Sequence, residues 1–141
     1  MEVRRARDEA EIGAALDLRR RVFCGEQGIS PAAEHDGLDG EALHVVAFED
    51  ERLVGTCRLV FADGVAHLAR MAVEPDRRRV GIGAALLAAA ECEACAVGAT
   101  SVRLHAQTAA RRLYDAADYS PVGDELLEEG IPHIAMQKAL A

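Results

Sequence analysis

Arg77-Arg78-Arg79-Val80-Gly81-Ile82-Gly83-Ala84 decides how this chain is read. It follows an apolar, strand-like run from Leu68 to Val73 and opens an Ala/Leu-rich run from Ala84 to Ala90. A strand, a glycine turn and a helix start make an anion site, because the free N–H groups of a first helical turn converge on one point. Gly81 and Gly83 let a phosphate approach the main chain, and the three consecutive arginines concentrate positive charge beside them. The pattern predicts a pyrophosphate held by Arg78, Arg79, Val80, Gly81, Ile82, Gly83 and Ala84.

Residue identity separates the phosphate-binding turns that compete for this stretch. A dinucleotide-binding turn needs a third glycine where Leu86 stands, and an NTPase loop needs Gly-Lys-Ser/Thr, which the chain lacks. What remains is Arg-x-x-Gly-x-Gly, from Arg78 to Gly83; by itself such a Gly-x-Gly also serves as an ordinary tight turn. A second stretch bears on the choice. After the alternating run Val102-Arg103-Leu104-His105-Ala106 comes Gln107-Thr108-Ala109-Ala110-Arg111-Arg112-Leu113-Tyr114, which reads as a second strand running into a second helix.

Together the two stretches resemble the signatures of the GNAT superfamily of N-acetyltransferases: its coenzyme A pyrophosphate loop, and Asn-x-x-Ala-x-x-Leu/Phe-Tyr with Gln107 in place of Asn. Val22 to Ile29, Glu34 to Asp39, Ala42-Leu43-His44, Leu104 to Gln107, and Glu129 to His133 followed by Met136 are similar to the ElaA-like branch, so the likeness spans Arg21 to Leu140. It implies a GNAT fold: a mixed, mostly antiparallel sheet with a parallel central pair and helices on both faces. It further implies acetyl-CoA as co-substrate, the backbone of Met71, Ala72 and Val73 pairing with pantetheine, the Gln107 amide touching that arm, and Tyr114 near the thioester sulfur. Arg79 stands where many members have Gly, and Asp118-Tyr119 stands where a Gly-Phe pair usually ends the Tyr-bearing helix.

The chain of 141 residues is of the size of a single domain, expected to span 1–141. A hydrophobic fraction of 50% with mean hydropathy near zero fits a globular protein, and no apolar run approaches the roughly 18 residues a membrane span needs. Met1-Glu2-Val3-Arg4-Arg5 has no apolar signal core, so a cytoplasmic location is expected. A net charge of -8 argues against nucleic acid as a partner and favours small or cationic ones. Among the cysteines only Cys92 and Cys95 have ligand spacing, and they sit in a helical pattern with no second Cys/His pair; no metal is expected.

Asp8 reads as a helix N-cap with Glu11 at the capping-box position, and the apolar spacing carries that helix to Phe23 or Cys24. Gly25 to Gly40 reads as a polar acceptor-side loop. Leu43 to Glu49, Leu53 to Ala62 and Val65 to Val73 read as an antiparallel meander, with Asp63-Gly64 as a hairpin turn. Gly83 to Val97 is a helix, Thr100 to Ala106 a strand, and Thr108 to Ala117 a helix. Tyr119 to Gly123 and His133 to Lys138 close the fold as a strand pair, with Leu126 to Gly130 between them.

The resemblance implies direct attack of an acceptor amine on acetyl-CoA in a ternary complex. Such attack needs a neutral amine, a donor to the thioester oxygen and a proton source for the thiolate. Tyr114 is the candidate acid, its alternative being a packed helix tyrosine. His105 shares a strand face with Gln107 and could relay the amine's proton, or be a satisfied core histidine. Glu26, Glu34, Asp36, Glu129 and His133 are the candidates for binding a primary amine of a small molecule or peptide. A homodimer is the macromolecular partner considered; nucleic acid and membrane are not expected. The competing readings are a non-catalytic CoA-binding sensor or interaction module and an acyl-homoserine lactone synthase-like enzyme, the absence of Trp counting against the latter.

Overall fold

The computed structural model describes residues 1–141. Along the chain lie β1 (Glu2–Arg5), α1 (Glu9–Arg19) running into a π-helical turn (Arg20–Glu26), α2 (Pro31–Glu34), β2 (Leu43–Glu49), β3 (Arg52–Ala62) and β4 (Val65–Val73). Then follow α3 (Ile82–Ala96), β5 (Ser101–Gln107), α4 (Arg111–Ala116), β6 (Ser120–Glu128) and β7 (Ile131–Ala139). The strands form one sheet in the order β1-β2-β3-β4-β5-β7-β6. Every neighbouring pair is antiparallel except β4 with β5, which is parallel. The mixed α/β sheet with a parallel central pair is the expected one.

Local chemistry explains most of the turns. Asp63 and Gly64 adopt φ of 52° and 78°, and Glu129 and Gly130 adopt 52° and 74°. Two successive left-handed residues give the type I′ twist that suits a two-residue hairpin. The Glu129-Gly130 turn corrects the sequence reading, because β6 continues to Glu128 where a connection from Leu126 was expected. Val122 pairs with Ala135 and Leu126 with His133, so Gly123, Asp124 and Glu125 bulge out opposite Ile134 alone. That polar excursion makes a continuous strand look broken in sequence.

Helices cover both faces of the sheet. On one face α3 lays Leu86, Leu87, Ala90 and Ala94 against Val45, Val54, Leu59 and Leu68. The approach is close at Gly55, where a Cβ would stand 2.9 Å from both Ile82 and Leu86 side chains. On the other face Leu18, Val22 and Phe23 pack on Ala72. Asp8 caps α1 by accepting from the Glu11 N–H at 2.9 Å, as expected. The Glu11 carboxylate, however, accepts from the Arg7 N–H and both terminal nitrogens of Arg4 rather than closing back on Asp8. The helix also outlasts the expected Phe23 or Cys24, winding on to Glu26 with the Gln27 N–H donating to the Val22 carbonyl at 3.0 Å. This wider turn accommodates two consecutive buried side chains, Val22 and Phe23, on one face.

One irregularity creates the site. Arg58 pairs with Ala69 and Thr56 with Ala72, so Arg70 and Met71 of β4 oppose Cys57 alone, and Arg70 has φ 57°. The bulge bends β4 away from β5, and their parallel pairing ends at Leu68 with Leu104. Beyond it β5 continues with β7 as far as Gln107 opposite His133. A wedge opens between the two central strands.

Candidate active site

The wedge widens into a cleft of about 1150 Å³. Met71, Ala72 and Val73 of β4 line one side and Leu104, His105 and Gln107 of β5 the other. On this stretch β4 has no strand partner on its β5 side, leaving an edge to which an extended ligand can add.

At one end lies the start of α3. Gly81 occupies the N-cap with φ 94°, and no side chain caps the helix. The first backbone bond is Ala85 N–H to the Gly81 carbonyl, so the N–H groups of Ile82, Gly83 and Ala84 are left for a ligand. The two glycines differ in role. A Cβ on Gly81 would meet nothing within 4 Å, and its requirement is the left-handed φ; a Cβ on Gly83 would stand 3.3 Å from Leu113. Gly83 lines the cleft and also lets α4 pack close against α3.

The arginines of the loop also divide. Arg77 is held by Glu49, and Arg78 forms a two-point ion pair with Glu26 at 2.6 and 2.7 Å while its Nε donates to the Val73 carbonyl. Arg79 makes no ion pair and faces the cleft together with Arg112, a cation the sequence reading did not single out. Arg79 has φ 64° and Asp118 has φ 71°, both left-handed. These are the two places where the sequence departs from the family's usual Gly.

Tyr114 lines the cleft and is otherwise enclosed, 5% exposed, with Tyr119 edge-on at 5.9 Å between ring centroids. Its hydroxyl bonds to no protein group. Burial holds the phenol well above its ordinary pKa, so it keeps its proton. Gln107 exchanges amide hydrogen bonds with Gln27, at 2.8 and 3.3 Å, tying the π-helical turn to the end of β5 across the cleft. Sequence reasoning missed Gln27, which has no local pattern of its own.

The expected acceptor carboxylates fare differently from one another. Glu34 pairs with buried Arg19 and with Arg70, and Asp36 with buried Arg58 and with Arg70. Asp39 completes the group by bridging Arg19 and Arg58. The Arg58 guanidinium holds the Asp36 carboxyl far below the usual carboxylate range. This network anchors the loop after α2 to α1 and β3; Glu34 touches the cleft, whereas Asp36 and Glu26 are outside its lining. Glu129 and His133 do line the cleft, on the β6–β7 hairpin. So does Glu128, the neighbouring carboxylate of the same segment; its Oε1 accepts from His105 Nδ1, and its Oε2 stands 3.7 Å from His133 Nε2. Strand parity counted back from the Glu129-Gly130 turn puts Glu128 on the His133 face.

The comparison with known families agrees with this geometry: the acetyltransferase (GNAT) domain matches residues 7–140. The chain belongs to the GNAT family. As a GNAT protein it is an acetyl-CoA-dependent acyltransferase. It is 34% identical to the uncharacterized N-acetyltransferase YjcF of Bacillus subtilis, over 94% of this chain and 96% of that one. An acyl-CoA N-acyltransferase from Pseudomonas aeruginosa superposes with a TM-score of 0.87 at 30% identity, covering 99% of this chain and 100% of that one. Escherichia coli ElaA superposes with a TM-score of 0.85 at 25% identity, covering 97% and 98%. No helix of this GNAT domain is long and apolar enough to cross a membrane. No group of His, Cys, Asp or Glu side chains is disposed to hold a metal ion.

Proposed function

We propose that the protein is an N-acetyltransferase that moves the acetyl group of acetyl-CoA to a primary amine of a small molecule or peptide, by direct attack within a ternary complex. The observation that carries this reading is that a single cleft is lined by the uncapped N-terminus of α3, the splayed edge of β4 and Tyr114.

The residues fit the co-substrate. The free N–H groups of Ile82, Gly83 and Ala84, with Arg79 and Arg112 nearby, suit a pyrophosphate. The β4 edge at Met71, Ala72 and Val73 suits an extended amide-bearing arm, and Gln107 faces it from β5. Acetyl-CoA supplies an activated thioester carbonyl, and the chain's task is to place an amine against it.

Attack requires a neutral amine. His105 donates its Nδ1–H to Glu128, which leaves Nε2 with a lone pair able to take the amine's proton. The Tyr114 hydroxyl donates to the departing thiolate; with its pKa raised by burial it acts first as a hydrogen-bond donor and does not ionise at neutral pH. Charge on the thioester oxygen is met by a backbone N–H of the β4 edge.

Release of CoA thiol from acetyl-CoA, measured with polyamines, amino acids, amino sugars and peptide amines, tests the proposal. Saturable release with at least one primary amine, lost when that amine is blocked, is expected; acetyl-CoA binding without release for every class would make the protein a CoA-binding module.

A further inference from the structure

The β6–β7 hairpin carries a small site of its own on the cleft wall. Ile131 has only a backbone carbonyl to offer His133, and His133 Nδ1 lies 2.7 Å from it. A carbonyl oxygen only accepts, so Nδ1 carries a proton, and in the neutral ring Nε2 is then a bare acceptor. Nε2 then faces Glu128 Oε2 at 3.7 Å, too far for a hydrogen bond and with no donor between them. Two acceptors are thus held side by side, one on a ring whose side chain is 11% exposed.

Each acceptor is oriented by a contact at its other atom. His133 is fixed by the Ile131 carbonyl, and Glu128 by His105 Nδ1 at its other oxygen. Nor does a cation of the protein fill the gap: Arg70 is drawn off by Glu34 and Asp36. Of the carboxylates lining the cleft, Glu34 is neutralised by Arg19 and Arg70, which leaves Glu128 and Glu129 to attract positive charge.

We propose that Glu128 Oε2 and His133 Nε2 form the seat for the acceptor's primary ammonium group. An ammonium has three N–H donors, so it can satisfy both acceptors at once while carboxylate charge supplies the attraction. The seat lies beside His105, so a proton released there has an acceptor at hand. This assignment rests on the acyltransferase reading for its purpose, while the binding itself is measurable without turnover.

The probe is n-butylammonium, titrated at millimolar concentration into acetyl-CoA-free protein while the histidine side-chain ¹⁵N resonances are followed by NMR. Tetramethylammonium serves as the control, having the same charge and no N–H. Expected is a saturable shift of His133 Nε2 with n-butylammonium, little shift with tetramethylammonium, and about tenfold weaker binding in Glu128→Gln. An equal response to both cations, or unchanged affinity in Glu128→Gln, would overturn the seat. Glu128 is partly exposed, and an unaltered thermal shift with acetyl-CoA certifies that the variant is folded. Turnover separates the two claims: acetylation of an amine with the same Michaelis constant in wild type and Glu128→Gln removes the seat and keeps the transferase. Butylammonium binding at His133 in a protein that acetylates no amine keeps the seat and removes the transferase.

Discussion

Glu26 and Arg78 grip each other through two short hydrogen bonds, 2.6 and 2.7 Å long, joining the end of the π-helical turn to the phosphate loop. Arg78 is therefore not a free cation awaiting an anion. A pyrophosphate that recruits it must compete with Glu26, whose carboxyl pKa is lowered chiefly by the Arg78 hydrogen bonds. Glu26→Gln should tighten acetyl-CoA binding by up to about fivefold, the range an exposed ion pair allows. Isothermal titration decides it, and weaker binding in the variant would show that Glu26 helps the ligand.

Arg79 offers a test in which two effects point in opposite directions. A side chain at φ 64° is strained relative to glycine, and this cation faces the cleft without an ion pair. Arg79→Gly should raise unfolding stability by up to about 1 kcal/mol while weakening acetyl-CoA binding several-fold. Denaturant melts and titration of the same sample read both; parallel changes would contradict the assignment of Arg79 to the phosphate end.

Tyr114→Phe removes the hydroxyl and retains the ring that packs on Tyr119. Turnover should fall by about 10²-fold with acetyl-CoA affinity nearly unchanged. Unaltered turnover under conditions where chemistry limits the rate would assign Tyr114 to packing alone.

The arginine-carboxylate network gives a pH dependence whose sign follows from Asp36. Its folded-state pKa is depressed, first by the Arg58 hydrogen bonds, so its contribution to stability is complete above the unfolded value of about 3.9 and is lost as pH falls below that value toward the folded one. Asp36→Asn leaves the buried Arg58 with Asp39 as its remaining partner and should cost about 2–4 kcal/mol at pH 7. Between pH 4 and pH 2, on the order of those reference values, thermal melts of wild type and variant should converge. A gap that persists undiminished in acid would rule out the ionised carboxylate as its source.

Cys57 is fully buried, and burial pushes its thiol pKa up to about 12, while Cys92 and Cys95 are exposed on α3. A thiol-directed reagent at pH 7.5 should label Cys92 and Cys95 in the native protein and reach Cys57 only on unfolding. Mass mapping of the labelled peptides checks this.

Short-range rules made much of this protein legible from its residues alone. Asp8 as cap, Asp63-Gly64 as hairpin, the strand runs around them and the glycine turn before α3 each depend on neighbours a few positions apart, and each appears where the sequence puts it. The family likeness followed from the same local signatures. Partnership between charges was not legible, because it is set by residues far apart in the chain. Glu34 and Asp36 looked free to bind a cation until the fold brought Arg19, Arg58 and Arg70 against them. The second constraint on Gly83, Leu113 of α4 standing close to it, was likewise set by a residue 30 positions away. Gln27 met Gln107 across 80 residues, and His105, Glu128 and His133 converged from separate strands. Backbone conformation answers to local sterics and hydrogen bonding, whereas the charge a site presents depends on which distant side chains packing places beside it.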